Sequence, residues 1–194
     1  MSINDLIIVG GGGHARSSID VIELVGNYNI LGIVDVKSKV GEYVNGYEII
    51  GSDEDLEMLS AKNNMFHIAL GQIGSPEKRK SIYNRLVQLN VTLPAIISPR
   101  AYVSKTAQIG QGSIVMHDAL INSNAVIGNN CIINSKSLIE HDVIVEDNTH
   151  IATGAILNGG TRVCENSFIG SGVITKQGSV VATNSFIKAN SIHV

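Results

Sequence analysis

Few residues in this 194-residue chain can move a proton near neutral pH: it carries six histidines and two cysteines. A histidine loses and gains its proton in that range, and a carboxylate beside it orients the ring and stabilises its charged form. Two dipeptides offer this pairing, His117-Asp118 and His141-Asp142. Acyl transfer to an amine or a hydroxyl needs such a base, together with N–H donors for the developing oxyanion. A second kind of chemistry lies at the other end of the chain. There an apolar run leads into Gly10-Gly11-Gly12-Gly13-His14-Ala15. Glycines between a strand and a helix let backbone N–H groups approach an anion at the helix N-terminus. Asp35 stands about 20 residues further on, where a ribose-binding acid is placed in nucleotide-binding units. These residues point to a nucleotide ligand and to general acid–base chemistry.

The elements that must position the histidines are read from a period. From Ile97 to Ile169 every sixth residue is Ile, Val or Leu; Thr175 interrupts, and Val181 and Ile187 resume. Against a background of roughly one such residue in four, chance does not account for the run. Two residues before each aliphatic stands a mostly small residue, such as Ala101, Ser113, Cys131 or Thr161. Gly, Asn and Asp follow the aliphatics and suit turns. A six-residue period with this pairing predicts a parallel β-helix with one short strand and one turn per repeat. His141 comes two residues after the core aliphatic Ile139 and falls at an outward corner. Gly159 comes 18 residues later; with three repeats to a coil, as in the β-helices that this pattern resembles, that puts its backbone beside His141. His117-Asp118 occupies the same two repeat positions, so the spacing alone leaves the two pairs equivalent. Cys131 falls in the small interior column, as a buried small hydrophobe. His67 and His193 read as structural or solvated.

The first half alternates strands and helices. Residues 3–9 predict a strand, the glycines open a helix ending at Gly26-Asn27, and Ile30–Asp35 predicts a second strand. Ser52 is positioned to cap a helix over 53–63, Phe66–Leu70 predicts a third strand, and Ser75-Pro76-Glu77 opens another helix. The alternation implies a small parallel α/β sheet.

Composition narrows the partners. Hydrophobic residues reach 44%, yet aromatics are only 4% and Trp is absent. A core built from aliphatic and small residues matches a narrow coil interior. A net charge of −3 supplies no general basic field for nucleic acid. No apolar run approaches the ~20 residues that span a bilayer, and the N-terminus lacks the basic segment of a signal peptide. The expected location is the cytoplasm.

Several motifs occur together: Ile8-Val9 leading into Gly10–Ala15, a strand ending in Asp35, Ile68-Ala69-Leu70-Gly71-Gln72, and Glu140-His141-Asp142 and His150 within the repeat. Along essentially the whole chain this combination resembles the NeuD/PglD-like sugar acetyltransferases of bacterial surface-glycan biosynthesis. The resemblance implies an α/β Rossmann-like nucleotide-sugar-binding domain over 1–93. An all-β left-handed parallel β-helix of hexapeptide repeats follows over 94–194. It further implies acetyl-CoA as co-substrate with no metal, a homotrimer with active sites between subunits, and no nucleic-acid or membrane partner. The implied reaction is N-acetylation of the 4-amino group of a nucleotide-linked amino sugar; O-acetylation of a sialic acid is the alternative, since amine and hydroxyl acceptors use the same base.

By the same resemblance His141 is the catalytic base and Asp142 its supporting carboxylate. His150, Gly159 and Asn134 contact the acetyl group or the thioester. Gly12, Gly13 and His14 form the phosphate turn, Asp35 contacts the nucleoside, and Gly71 and Gln72 form the loop after the third strand. Two departures stand out: Val36 follows Asp35 where some relatives carry a second acid, and the tail 188–194 lacks the proline common near the coenzyme. Readings of another class are a non-catalytic β-helix, and a zinc enzyme, which would need a histidine cluster.

Overall fold

The computed structural model describes residues 3–193. Two compact units emerge, one running through Gly71 together with Glu77–Pro94, the other comprising Gln72–Pro76 and the chain from Ala95. No helix among the described residues is long and apolar enough to cross a membrane.

The first unit carries β1 (Asn4–Val9), α1 (Gly13–Val25), β2 (Tyr28–Val34), β3 (Tyr43–Val44), β4 (Tyr47–Gly51), α2 (Leu56–Ser60), β5 (Phe66–Ile68) and α3 (Glu77–Gln88). The sheet order is β3-β4-β2-β1-β5, parallel except for the β3–β4 hairpin. Helix α1 ends as the sequence predicts, on Gly26 in the left-handed conformation at φ 75°. The Ser52 cap also forms, reciprocally with Asp55, but it opens a single 3₁₀ turn before α2, and the helix stops at Ser60, short of the predicted Asn63. The hairpin is an addition to the predicted strands. Its signal was Asn45-Gly46, both with positive φ, the residue pair that a two-residue hairpin turn favours.

The second unit is a parallel β-helix of two-residue strands. Its first face stacks Ile96–Ile97 up to Phe186–Ile187, its second Tyr102–Val103 up to Ile192–His193, and its third Gln108–Ile109 up to Val180–Val181. Partners on each face are 18 residues apart, for example Leu120 with Leu138 and Ile139 with Leu157. Three repeats therefore close one turn. Both columns read from the sequence point inward and are buried together, with Ile121, Ile139 and Leu157 from one and Ala119, Cys131 and Ala155 from the other. Several hydroxyls in the small column are satisfied by coil carbonyls, as Ser113 donates to Gly128 at 2.8 Å and Ser137 to Asn134 at 2.7 Å, whereas the buried Ser179 hydroxyl has no partner among the described residues. The bonded ones cost little to bury for that reason.

A third column organises the corners. From Gly112 to Asn190 every sixth residue has a left-handed backbone with φ between 54° and 69° or at 70°. Its members are Gly, Asn and Asp, with Lys136 the one exception. These residue types tolerate that conformation best. Asp142, at φ 59°, belongs to this column. One position thus demands a turn-former and receives a carboxylate.

Candidate active site

His141 follows the second-face strand Leu138–Ile139 and is fixed from both adjacent coils. Asp142 N–H donates to Ser123 O below at 3.1 Å, and His141 O accepts from Gly160 N–H above at 3.0 Å. The ring Nδ1 lies 2.8 Å from Asp142 Oδ2. A proton on Nδ1 then donates to the carboxylate and leaves the Nε2 lone pair available. The hydrogen bond from His141 is the largest cause holding the Asp142 carboxyl below its usual range, and Asn124 from the preceding coil adds a second. Both side chains are more than half exposed, so this geometry awaits a ligand or neighbour.

Gly159 lies where the coil period puts it. A Cβ there would stand 2.6 Å from His141 Nε2, and its three nearest atoms all belong to the His141 ring. The absent side chain makes the space that the imidazole fills. Gly159 is buried, yet its N–H donates to no acceptor among the described residues. An imidazole with an available Nε2 and an uncommitted N–H donor therefore share one small volume, the combination that acyl transfer requires.

The two His-Asp pairs, equivalent by spacing, are separated by their partners. His117 Nδ1 is 2.7 Å from Ser98 Oγ, and Asp118 is turned outward to Arg100, at 2.8 Å. Only at 141–142 do the two side chains of a pair bond each other.

His150 and Asn134 form a second cluster, on the first face and its following corner. Asn134 Oδ1 accepts from Ser135 N–H at 2.8 Å, so its amide nitrogen is turned toward His150 Nε2, at 3.3 Å. His150 Nδ1 donates to Gln72 O at 2.6 Å. Both ring nitrogens are thus engaged. The ring also stands edge-on to Phe168, with centroids 5.2 Å apart. Gln72, predicted to sit with the nucleotide-binding loop, is instead part of the coil unit, where its Nε2 donates to Asn148 O at 2.7 Å. Sequence spacing could not foresee this, because the contact joins residues 76 and 78 positions apart.

In the first unit the glycine turn and Asp35 come together. Gly11 N–H donates to Asp35 Oδ2 at 2.9 Å, and a Cβ at Gly11 would stand 2.6 Å from that oxygen. Val36 N–H binds the other oxygen at 2.7 Å. Asp35 thereby braces the turn as well as ending its strand. Gly12 caps α1 without a side-chain hydrogen bond, and no acid lies in the first turn. Nothing lies within 4 Å of where a Cβ would extend from Gly12 or Gly13. An open, uncapped helix N-terminus of this kind accepts an anion. His14 lies in the first turn of α1, and its Cβ lies 3.5 Å from a Cβ built on Gly71, so the two predicted loops adjoin. Sequence reasoning missed Arg79, which is buried and donates to Ile68 O at 2.6 Å and Leu70 O at 2.8 Å, holding the exit of β5.

Comparison with known proteins matches this arrangement. Residues 5–86 match the PglD N-terminal domain family, and residues 106–141 and 124–159 match the bacterial transferase hexapeptide family of six repeats. The chain is similar to the acetyltransferase domain of PglB from Neisseria gonorrhoeae FA1090, solved with acetyl coenzyme A. The identity is 30%, coverage is 100% of this chain and 92% of that one, and the TM-score is 0.92. A histidine-to-alanine mutant of GDP-perosamine N-acetyl transferase from Caulobacter crescentus, solved with CoA and GDP-perosamine, is 27% identical. Coverage there is 100% and 90%, again with a TM-score of 0.92. No curated protein sequence matched. With both halves matched in order along its full length, the chain belongs to the NeuD/PglD-like family of sugar acetyltransferases, with an α/β N-terminal domain and a left-handed β-helix of hexapeptide repeats.

Proposed function

We infer that the protein is an acetyl-CoA-dependent N-acetyltransferase acting on the 4-amino group of a nucleotide-linked amino sugar in the cytoplasm, in bacterial surface-glycan biosynthesis. One observation carries the reading: His141 Nε2 stands against Gly159 while Nδ1 is held by Asp142. As the amine nitrogen attacks the thioester carbonyl, Nε2 takes the amine proton and Asp142 stabilises the imidazolium. Gly159 N–H stabilises the oxyanion. The C–S bond then breaks, and His141 returns the proton to the departing thiolate. The uncapped turn at Gly12-Gly13-His14 holds the diphosphate of the sugar nucleotide, with Asp35 and Gly71 beside it. Both relatives support this assignment, one solved with acetyl coenzyme A and the other with CoA and GDP-perosamine.

The working form is a homotrimer with its active sites between subunits. The outward residues of the second face are Tyr102, Leu120, Leu138, Ile156, Ile174 and Ile192, an uncharged apolar column. Four of them are more than a third exposed in the single chain. Such a stripe marks a subunit contact. His141 and Asn134 border this face from its two ends, so a neighbour packed there encloses both.

Coenzyme A release tests the reading. UDP-, GDP-, dTDP- and CMP-linked amino sugars should be screened against free sialic acids. Turnover with an amino-sugar nucleotide, abolished in a folded H141A variant, is the expected result. Turnover confined to sialic acids, or unchanged in H141A, would overturn it.

A further inference from the structure

Thr175 interrupts an otherwise aliphatic interior column. It is buried without any exposure, where a Val would restore the pattern. It also marks the one irregular step in the coil. Every other pair of stacked coil strands among the described residues registers at two positions, whereas Ile156–Leu157 and Ile174–Thr175 register only at Ile156 with Ile174.

The hydrogen bonds show what replaces the missing rung. Along the second face, the residue after each strand donates its N–H to the carbonyl one coil on. Asn122 donates to Ile139 O at 2.9 Å, Glu140 to Leu157 O at 3.0 Å and Lys176 to His193 O at 2.8 Å. Asn158 should donate to Thr175 O. Its N–H goes to Thr175 Oγ1 instead, at 3.0 Å, and its side-chain Nδ2 takes the vacated Thr175 O, at 2.6 Å. The Thr175 hydroxyl completes a buried chain with Thr161 Oγ1 at 2.9 Å, which reaches Lys176 O at 3.3 Å.

This substitution bears on the next residue. At three other corners, where Asn or Glu stands in the position of Asn158, that side chain turns back to accept from the following N–H. Asn122 Oδ1 does so for Ser123 at 2.8 Å, Asn134 Oδ1 for Ser135 at 2.8 Å and Glu140 Oε2 for His141 at 3.4 Å. Local side-chain-to-backbone bonds of this kind are the default for Asn. Asn158 is of the right type to do the same for Gly159, but Thr175 has drawn its amide away. With the Asn158 amide so engaged, the Gly159 N–H stays buried and uncommitted beside His141.

We propose that Thr175 is a positioning residue for acetyl transfer, whose hydroxyl diverts Asn158 and thereby keeps the Gly159 N–H free for the oxyanion. The inference rests on the acetyl-transfer reading of His141 and Gly159. In T175V the Asn158 N–H regains a carbonyl partner, and the Asn158 side chain returns to cap Gly159. The coil should remain as stable as before, since the aliphatic column is restored. The oxyanion should lose its donor, lowering kcat by at least about tenfold, with KM for acetyl-CoA within about twofold of the parent. T175S keeps the hydroxyl and should retain near-parental kcat. The double variant T175V/N158A removes the returning cap and should recover part of the loss. If T175V does not fold, T175A carries the same comparison.

The proposal is overturned if T175V turns over like the parent while H141A is inactive, or if T175S is as impaired as T175V. Full turnover in H141A would take down the acetyl-transfer reading and this inference with it. A mere packing role would move Tm and kcat together and would give no recovery in the double variant.

Discussion

At the scale of single residues, the site depends on one absent side chain. His141 occupies the space a Cβ at Gly159 would claim, at 2.6 Å from Nε2. Gly159 does not lie in the left-handed region, so G159A adds no backbone strain, and the atoms its Cβ meets most closely belong to an exposed, movable ring. The ring must swing off Asp142 or away from the acceptor. Misplacement of a reacting group by about 1 Å costs roughly 10²-fold in rate. G159A should therefore lower kcat by about that factor while Tm moves by less than about 2 °C. A steady-state assay with a thermal melt checks this; parental kcat in G159A would show that the ring does not act from this position. The pairing of His141 with Gly159 was legible in the sequence, because 18 residues is one coil. What spacing could not show was the choice between the two His-Asp pairs. That choice is made by Ser98 and Arg100, which engage His117 and Asp118 from the preceding coil.

At the scale of elements, the coil was legible because its interior is too narrow to admit variety, so two columns repeat with little deviation. The left-handed corner column was less visible. Gly, Asn and Asp satisfy the same backbone constraint by different means, which blurs a pattern sought in one residue type. Lys136 exposes the constraint. It is exposed at φ 59°, a conformation costing an ordinary L-residue about 1 kcal/mol or more. K136N should raise the unfolding free energy by about 0.5 kcal/mol, read as a higher denaturant midpoint at unchanged slope. A lower midpoint would mean that the Lys136 side chain contributes contacts that outweigh the strain. The α/β half was read less completely. Its strands announce themselves as apolar runs, whereas the β3–β4 hairpin is short and its signal is the two residues Asn45-Gly46.

At the scale of the whole molecule, stability should depend on pH through His67. This histidine is fully buried in β5. Desolvation, chiefly, and the charges of Arg79 and His14 hold its pKa well below 6.5. The unfolded chain takes up a proton below that value and the folded chain does not. Stability is thus greatest above about pH 6.5 and falls as the pH drops through it, by at most about 1.4 kcal/mol per pH unit for one such group. Denaturant titrations between pH 7.5 and 5 should show the decline, and H67F should flatten it. A parental slope in H67F would assign the acid sensitivity elsewhere.

Assembly also belongs to this scale, and in the proposed reading catalysis depends on it. An apolar column six coils tall, including Tyr102 at 61% and Ile192 at 73% exposure, is a poor surface to leave in water. His141 and Asp142 at its edge are too exposed to exclude water from a thioester unaided. Both facts are resolved if three chains pack through this face. The purified protein should then have three times the 20.6 kDa chain mass by light scattering. L120E places a charge in the column while leaving the coil interior intact, because Leu120 points outward and is 37% exposed. That variant should fold with a far lower assembled fraction, and its turnover should fall with dilution as trimers dissociate. His141 and Gly159 would remain correctly placed within each chain, so activity lost on dilution would isolate the contribution of the neighbour. A monomeric parent with full activity, or an L120E variant that stays trimeric at every concentration, would remove this face as the interface and require the site to be closed from within one chain.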